Sequence, residues 1–440
     1  MEDDTLLHLH EYNDLIIEKY LLDENEILNL NETIYLICEY YINLDPLNIS
    51  SYYFTNTLIN YVCEIFKNQF SFLKFEENEI YSLIYYNLIY YCSINKHSPM
   101  RCNGNTTNFN NLLLESNELQ EKIENLINKE QPEQRTEQWY KYRHNLLTAS
   151  NIWMVFGTDS QRNRLLEEKL CPLNLEKHNR ININTPMHHG NKYEDLSIMF
   201  YEYFFETKVD DFGCIQHDNY KFLGASPDGI NVNKNSNKYG TMLEIKNVTT
   251  REITGIPKED YWIQMQLQLE VCNLDNCDFL ETKFTEYQDF DEFINDQEKV
   301  LGLNKEKIIN DDINSLLNTK GMVVFHIKNS KCIYDFMPLH ITNIEDCDKW
   351  KNSIMYKYEE DNECMWMSNI YWKLENISCV LVLRNKLWFK NAIIKLEEFW
   401  ELLEKEKLNG TKIVKKIKKN KKEKGKGKSQ CFIQIDTSTC

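Results

Sequence analysis

Two carboxylates and one ammonium stand close together in this sequence, in a pattern that could hydrolyse a phosphodiester. Asp228 lies in the run G-A-S-P-D-G-I (224–230), and Glu244 and Lys246 lie in T-M-L-E-I-K-N-V (241–248). A polar turn, N-V-N-K-N-S-N-K-Y-G, joins the two runs. Asp228 follows a short strand, 220–224, and sits beside Gly229 in a turn, while the second run reads as a strand, so a hairpin between the two strands would bring Asp228 close to Glu244. Residues two apart on a strand share a face. Glu244 and Lys246 therefore point one way, while Leu243 and Ile245 point the other way, into the core. Neighbouring carboxylates repel, and a hard divalent cation relieves the repulsion. Mg²⁺ keeps several waters and suits one or two carboxylates plus a substrate phosphate. Such an ion makes water a better nucleophile and offsets charge in a phosphorane-like transition state. Lys246 could orient the attacking water, help deprotonate it, or stabilise that charge.

E-x-K alone is a weak pattern. Glu167/Lys169 and Glu281/Lys283 repeat it, the second inside the strand-like run F-L-E-T-K-F, and a solvated strand face accounts for either. What separates Glu244/Lys246 from these is the upstream S-P-D-G, the polar turn and the helix that follows.

The elements that must position these residues read as an alternation of helix and strand. Trp139 to Phe156 predicts one helix, with Thr148, Ala149 and Ser150 inside or capping it. Gly190 to Glu206 is a second helix, periodic in Tyr193, Leu196, Phe200 and Phe204. Strand-like runs follow at 209–216, 220–224 and 242–248, then a helix at 261–272 and a strand at 279–284. Further strands are expected at 322–327 and 379–383, and a closing helix at 388–408. This order argues for a mixed α/β sheet domain. Residues 1–92 read as helical segments in which nothing polar converges, 93–111 as an Asn-rich loop, and 112–127 as an amphipathic helix. Pro132 then breaks the pattern. The expected organisation is a helical accessory domain at 1–130, a catalytic domain at 131–408 and a Lys-rich tail at 409–440. Trp139, Trp262 and Trp400 read as core residues.

Composition excludes several classes. Hydrophobic residues make up 42% and charged residues 27% of the 440, as in folded globular chains. That length predicts two or three domains. No run of about 18 uncharged apolar residues occurs, which argues against a membrane span. The start, M-E-D-D-T-L-L-H-L-H, lacks the basic region of a secretory signal. The 14 Cys are scattered without a C-x-x-C pair, so reduced thiols in an intracellular compartment are expected. There is no H-E-x-x-H, and His188-His189 before Gly190 suits a turn. The net charge of −18 is uneven. Residues 412–428 hold ten Lys and one Glu, a local +9, which leaves −27 on the remainder. A basic tail on an acidic body fits nucleic acid, a localisation signal or a solvated end.

The ordered motifs resemble the PD-(D/E)XK nucleases, specifically the YqaJ viral recombinase group that includes the lambda phage exonuclease. R-H-N-L-L-T-A-S (143–150) is similar to the family's R-x-G-x-x-T-A-S, with Asn145 where Gly is usual. H-G-N-K-Y-E (189–194) is similar to its G-x-x-x-E helix, and S-P-D-G with L-E-I-K matches its core. Y-W-I-Q-M-Q (261–266) matches the next helix, and L-R-N-K-L-W (383–388) through Trp400 looks like the closing segment. The resemblance covers about residues 135–405.

The resemblance implies an α/β, restriction-endonuclease-like core, a mixed central sheet flanked by helices, behind an N-terminal all-helical domain. It implies a Mg²⁺-dependent 5′→3′ exonuclease (Mn²⁺ substituting) that acts on duplex DNA ends and leaves 3′ single strands for recombination or repair. By resemblance, Asp228, Glu244 and the Ile245 carbonyl ligate the metal, and Glu194 holds its water or a second ion. Lys246 is the catalytic lysine, and Gln264 positions the nucleophile or the scissile phosphate. Arg143 and Ser150 grip the 5′-terminal phosphate, and Gln266 and Thr148 are candidate DNA-contacting or supporting residues. A guanidinium and a hydroxyl at a helix start do make an anion site. A single-strand annealing partner and a homo-oligomer, a ring-shaped trimer in some members, belong to the same expectation. The Asn- and Ile-rich composition adds a large DNA virus as source, and hence a host cytoplasm or nucleus. Two other readings remain at this point: a structure- or site-specific endonuclease of the same fold, and a non-catalytic DNA-end-binding protein.

Overall fold

The computed structural model describes residues 2–94, 117–175, 183, 185–304, 312–329 and 331–409. Most of the expected Asn-rich loop, residues 112–116 and the Lys-rich run 412–428 lie outside the described residues.

Four helices open the chain: α1 (Glu2–Tyr20), α2 (Glu24–Leu44), α3 (Phe54–Gln69) and α4 (Glu77–Ile94). Asp23 and Glu26 form a reciprocal cap at the start of α2. The helices meet through one apolar stripe each, with Ile34, Leu58, Val62, Phe66 and Ile84 essentially inaccessible. The Pro46–Ser50 turn between α2 and α3 leaves this group and packs on the rest of the chain. There the Ser50 hydroxyl donates to Glu259 at 3.1 Å. One continuous apolar core runs from Ile16 through Phe66 to Phe399.

The remainder alternates helix and strand as the sequence predicts. Its elements are α5 (Asn117–Asn128), α6 (Glu137–His144), β1 (Leu147–Thr148), α7 (Trp153–Phe156), α8 (Asp159–Leu170), α9 (Pro186–Phe205), β2 (Val209–Asp210), β3 (Ile215–Gln216), β4 (Leu223–Ala225), β5 (Gly229–Asn231) and β6 (Met242–Asn247). Then come α10 (Glu259–Cys272), β7 (Asn276–Glu286), α11 (Phe290–Asn295), β8 (Val300–Leu301), β9 (Thr319–Lys328), β10 (Lys331–Phe336), α12 (Ile344–Lys357), β11 (Cys364–Leu383) and α13 (Lys386–Leu408).

The central sheet runs β10-β9-β11-β7-β6-β5-β2, with β8 added beside β9. It is mixed: β6 and β7 are parallel, and β7–β11, β5–β6 and β9–β11 are antiparallel. A small second sheet, β1-β4-β3, stands apart. Helix α9 covers one face of β6 and β7, where Tyr193, Leu196 and Phe200 meet Leu243, Ile245 and Leu280. Helix α10 lies on the other side, where Trp262, Met265 and Leu269 share a core with Met242 and Phe279. The expected α/β class, a mixed central sheet flanked by helices behind an N-terminal helical region, is the one observed.

Three local expectations are corrected. Trp139 to Phe156 is not one helix: α6 ends at His144, and Leu147–Thr148 pairs in parallel with Leu223–Gly224 as β1. A strand partner distant in sequence overrides the local apolar spacing. His188 and His189 are helical rather than in a turn, because the Thr185 hydroxyl accepts from the His188 N–H and Pro186 opens α9. Trp139 is half-buried and stacks on Arg143, with the guanidinium 4.3 Å from the ring centroid.

Candidate active site

A hairpin forms across the polar turn, but its first strand is β5, just after Asp228; the expected partner run, 220–224, ends in β4, which pairs with β1 and β3 in the small sheet. Gly229 pairs with Leu243, which sets Asp228 beside Glu244. The Ile245 N–H donates to Asp228 Oδ2 at 2.7 Å. Leu243 and Ile245 are buried against α9, so Glu244 and Lys246 project toward α10. Glu244 has no exposed surface. Its Oε1 accepts from the Lys246 ammonium and from Gln264 Nε2 (2.7 Å), and its Oε2 accepts from Gln268 Nε2 (2.6 Å). Three donors thus satisfy one buried carboxylate, as burial of charge requires.

Asp228 is compensated less well. Burial pushes its carboxyl well above the usual carboxylate range, and the neighbouring Glu244 and Glu194 push it further, against the pull of Lys246 and the Ile245 N–H. For Lys246 the balance runs the other way. Burial lowers its proton affinity, but Glu244 and Asp228 outweigh that and hold it above an ordinary lysine. Lys246 is therefore an ammonium in this arrangement, and it also faces the Tyr261 ring at 5.0 Å.

A cleft of about 600 Å³ opens over these groups, lined in part by Glu194, Asp228, Lys246, Arg251, Lys258 and Tyr261. Glu194 reaches it from α9, and Arg135 NH2 donates to its Oε2 at 2.7 Å. Burial raises the Glu194 carboxyl, Arg135 opposes that rise, and Asp195 adds to it. Arg135 has a left-handed backbone (φ 65°) that turns the chain from Gln134 into α6. Gln134 donates to the Pro227 carbonyl at 3.1 Å. Consecutive residues of this strap thus touch the Asp228 loop and the Glu194 helix, and Thr136 caps the helix that carries Arg143.

Arg143 and Ser150 come together: NH2 donates to Ser150 Oγ at 2.8 Å and NH1 to Ser226 Oγ at 3.0 Å. Trp139 Nε1 also donates to Ser226 Oγ at 3.2 Å. Ser226, which joins this polar pocket, stands two residues from Asp228 along the chain. Thr148 is 2% exposed, its hydroxyl 3.4 Å from that of Ser150, so it supports Ser150 from behind.

Gln266 is corrected. Its amide donates to the Leu383 carbonyl (2.9 Å) and accepts from the Asn385 N–H (2.6 Å), binding the end of β11 to the start of α13. At about 100° per residue, Gln264 and Gln268 share a face of α10 while Gln266 points away. Gln268 is the residue the motif match passed over, and the i, i+4 spacing was its signal. Ser226 was passed over as well, although it stands in the quoted S-P-D-G.

The donor set on the cleft fits a hard divalent ion better than a soft one: carboxylate oxygens and a strand carbonyl. Among the described residues, no group of three or more His, Cys, Asp or Glu gathers as a ready-made cage. Mg²⁺ does not need one, since it binds through one or two carboxylates. The poorly compensated charge on Asp228 is the observation that favours a cation here. Glu244 would exchange one of its present donors to ligate it.

The chain is similar to several known proteins. Residues 138–275 match the YqaJ-like viral recombinase domain. An uncharacterized protein, R354, of Acanthamoeba polyphaga mimivirus is 33% identical over 328 residues, 69% of this chain. The chain spans 58% of that relative's length. Among solved structures, an alkaline exonuclease (LHK-Exo) from Laribacter hongkongensis is similar at a TM-score of 0.34 and 18% identity, over 62% of this chain and 95% of that one. A phage-related exonuclease from Haemophilus somnus 129PT gives a TM-score of 0.30 at 12% identity, over 60% and 93% of the two chains. The matched segment, Gln138 to Asp275, carries Arg143, Glu194, Asp228, Glu244, Lys246 and Gln264, so the part of the chain similar to the YqaJ-like viral recombinase domain is the part that builds this cleft.

Proposed function

We propose that this protein is a divalent-metal-dependent DNA exonuclease that degrades duplex ends 5′→3′, with Mg²⁺ as its ion, and leaves 3′ single strands for recombination or repair. The observation that carries the reading is that Asp228 and Lys246 line one cleft above the buried Glu244 that binds Lys246, while Ser226, the hydroxyl held by Arg143, stands two residues from Asp228. Asp228, Glu244 and the Ile245 carbonyl would hold the ion, with Glu194 near it. When bound, the ion supplies a Lewis acid that activates water and offsets charge on the phosphate.

The chain's own residues do the rest. Arg143 and Ser150 bind the terminal 5′-phosphate as a fork and a hydroxyl, which seats the next phosphodiester over Asp228. Lys246 faces the charge that develops on the attacked phosphate. Gln264 and Gln268 hold the Glu244 carboxylate in one orientation while Gln264 stays within reach of the substrate. In-line attack by water on phosphorus breaks the bond to the 3′ oxygen and releases a 5′-phosphorylated nucleotide. We assign this chemistry to 131–408, with 1–130 as an accessory region. A single-strand annealing protein as partner and self-association belong to the same proposal.

Time-resolved digestion of end-labelled linear duplex, with and without 5′-phosphate, in Mg²⁺ or EDTA, tests it. Mononucleotide release from 5′-phosphorylated ends in Mg²⁺ alone is expected. Efficient cutting of closed circular duplex would instead make the protein an endonuclease. End binding without degradation in Mg²⁺ or Mn²⁺ would make it a non-catalytic end-binding protein.

A further inference from the structure

The second strand-borne E-x-K, Glu281/Lys283, has a place in the site after all. β6 and β7 run parallel with Lys246 opposite Glu281, so both side chains emerge on the α10 side of the sheet. Glu281 is 1% exposed and accepts a hydrogen bond from the Arg251 guanidinium. Its second oxygen, Oε2, is buried without a protein partner. A buried carboxylate with one arm engaged fixes Arg251 in place, as a flexible surface pair would not. Arg251 lines the cleft next to Lys246, and the Tyr261 ring lies between them, 5.0 Å from the Lys246 ammonium and 5.5 Å from the Arg251 guanidinium. Lys258, just before α10, lines the same wall. The cleft is thus divided by charge. Glu194 and Asp228 form the acidic part, and Lys246, Arg251 and Lys258 form a cationic part that Arg143 does not share.

We infer that Arg251, fixed by Glu281 and joined by Lys258, is a second phosphate-binding subsite. It takes the backbone phosphate on the 3′ side of the scissile bond, in the strand whose 5′ end sits at Arg143. The inference rests on the nuclease reading. Anchored planar guanidinium groups bind phosphate in a defined orientation, and a lysine adds a point charge beside it. With Arg143 on one side of Asp228 and Arg251 on the other, the scissile phosphate is held from both flanks. In-line attack demands that alignment.

Removing Arg251 alone would strand Glu281 as a buried charge, so the test uses the uncharged pair Arg251→Gln with Glu281→Gln, and separately Arg251→Lys. Binding of the full chain to linear duplex is measured in Ca²⁺ by fluorescence anisotropy over 50–300 mM salt, with 5′-phosphorylated and 5′-hydroxyl ends. The paired variant should bind both ends roughly tenfold more weakly, with the slope of log affinity against log salt smaller by about one. Arg251→Lys should keep the slope and lose only about two- to fivefold, because charge remains and the fork does not. The 5′-phosphate preference should stay as in wild type. An unchanged slope and affinity in the paired variant overturns the subsite. Loss confined to 5′-phosphorylated ends also overturns it, because Arg251 would then belong to the Arg143 pocket. If the wild-type chain neither binds nor degrades duplex, the nuclease reading itself fails, an outcome distinct from both.

Discussion

Arg143 donates to the hydroxyl of Ser226, which stands two residues before Asp228, so the Asp228 loop itself ties the Arg143–Ser150 pair to the carboxylate site. Under the proposed function, a terminal phosphate on Arg143 would stand at a fixed spacing from the carboxylates. Arg143→Ala should lower the preference for 5′-phosphorylated over 5′-hydroxyl ends by roughly 10- to 100-fold, the scale of one charge-assisted contact. Ser226→Ala should move it in the same direction by less. Competition kinetics with the two ends in one tube reads this directly, and an unchanged ratio removes the role from Arg143.

Asp228→Asn keeps an acceptor for the Ile245 N–H and removes one of two crowded negative charges. Turnover in Mg²⁺ should fall by at least about 10³-fold. Without divalent ions the variant should be more stable than wild type by on the order of 1 kcal/mol, because wild type holds that carboxylate against burial and repulsion. Urea denaturation in EDTA beside nuclease assays in Mg²⁺ checks both. A destabilised, active variant would remove Asp228 from the site.

The pH dependence has a definite sign. Asp228 has a folded value above its unfolded one, so between the two the native state binds more protons. Its contribution to stability is most favourable below the ordinary aspartate range and is lost as pH rises toward the folded value. Divalent ion binding demands the carboxylate. Melting temperature in EDTA should therefore fall across this window, and the gain on adding Mg²⁺ should grow with pH. Asp228→Asn should flatten both curves. A Mg²⁺ gain independent of pH in wild type contradicts the assignment.

Gln266 and Gln268 give a contrast within one helix. Gln268→Leu removes the donor on Glu244 Oε2 and should cut turnover about tenfold while the chain still folds. Gln266→Leu leaves the Leu383 carbonyl and the Asn385 N–H without their partner, and should cost roughly 2 kcal/mol of stability with normal turnover per folded molecule. Equal turnover losses in the two variants would dissolve the distinction.

How much of this was legible in the sequence depends on the range of the interaction. Asp228, Glu244 and Lys246 were readable because a hairpin with a polar turn and a period-two strand are local patterns, and the β5–β6 register obeys them. The break between α6 and β1 was not readable, because it is set by pairing with Leu223–Gly224, more than seventy residues away. The strand at Lys331–Phe336 and the helix at Ile344–Lys357 were missed for a similar reason. The strand lies at the sheet's edge, half-exposed, without a clean apolar run, and the helix buries Cys347 alone. Glu281 looked like a decoy because its partner, Arg251, is thirty residues earlier and meets it only across the sheet.

The Pro46–Ser50 turn, seated against α10 and α13, has a practical bearing on how the molecule can be dissected. A fragment begun after the fourth helix would lay bare the greasy seat of that turn beneath the very helix that presents Gln264 and Gln268. Trimming the front of the chain would thus disturb the floor of the cleft from below, without altering a single residue in it.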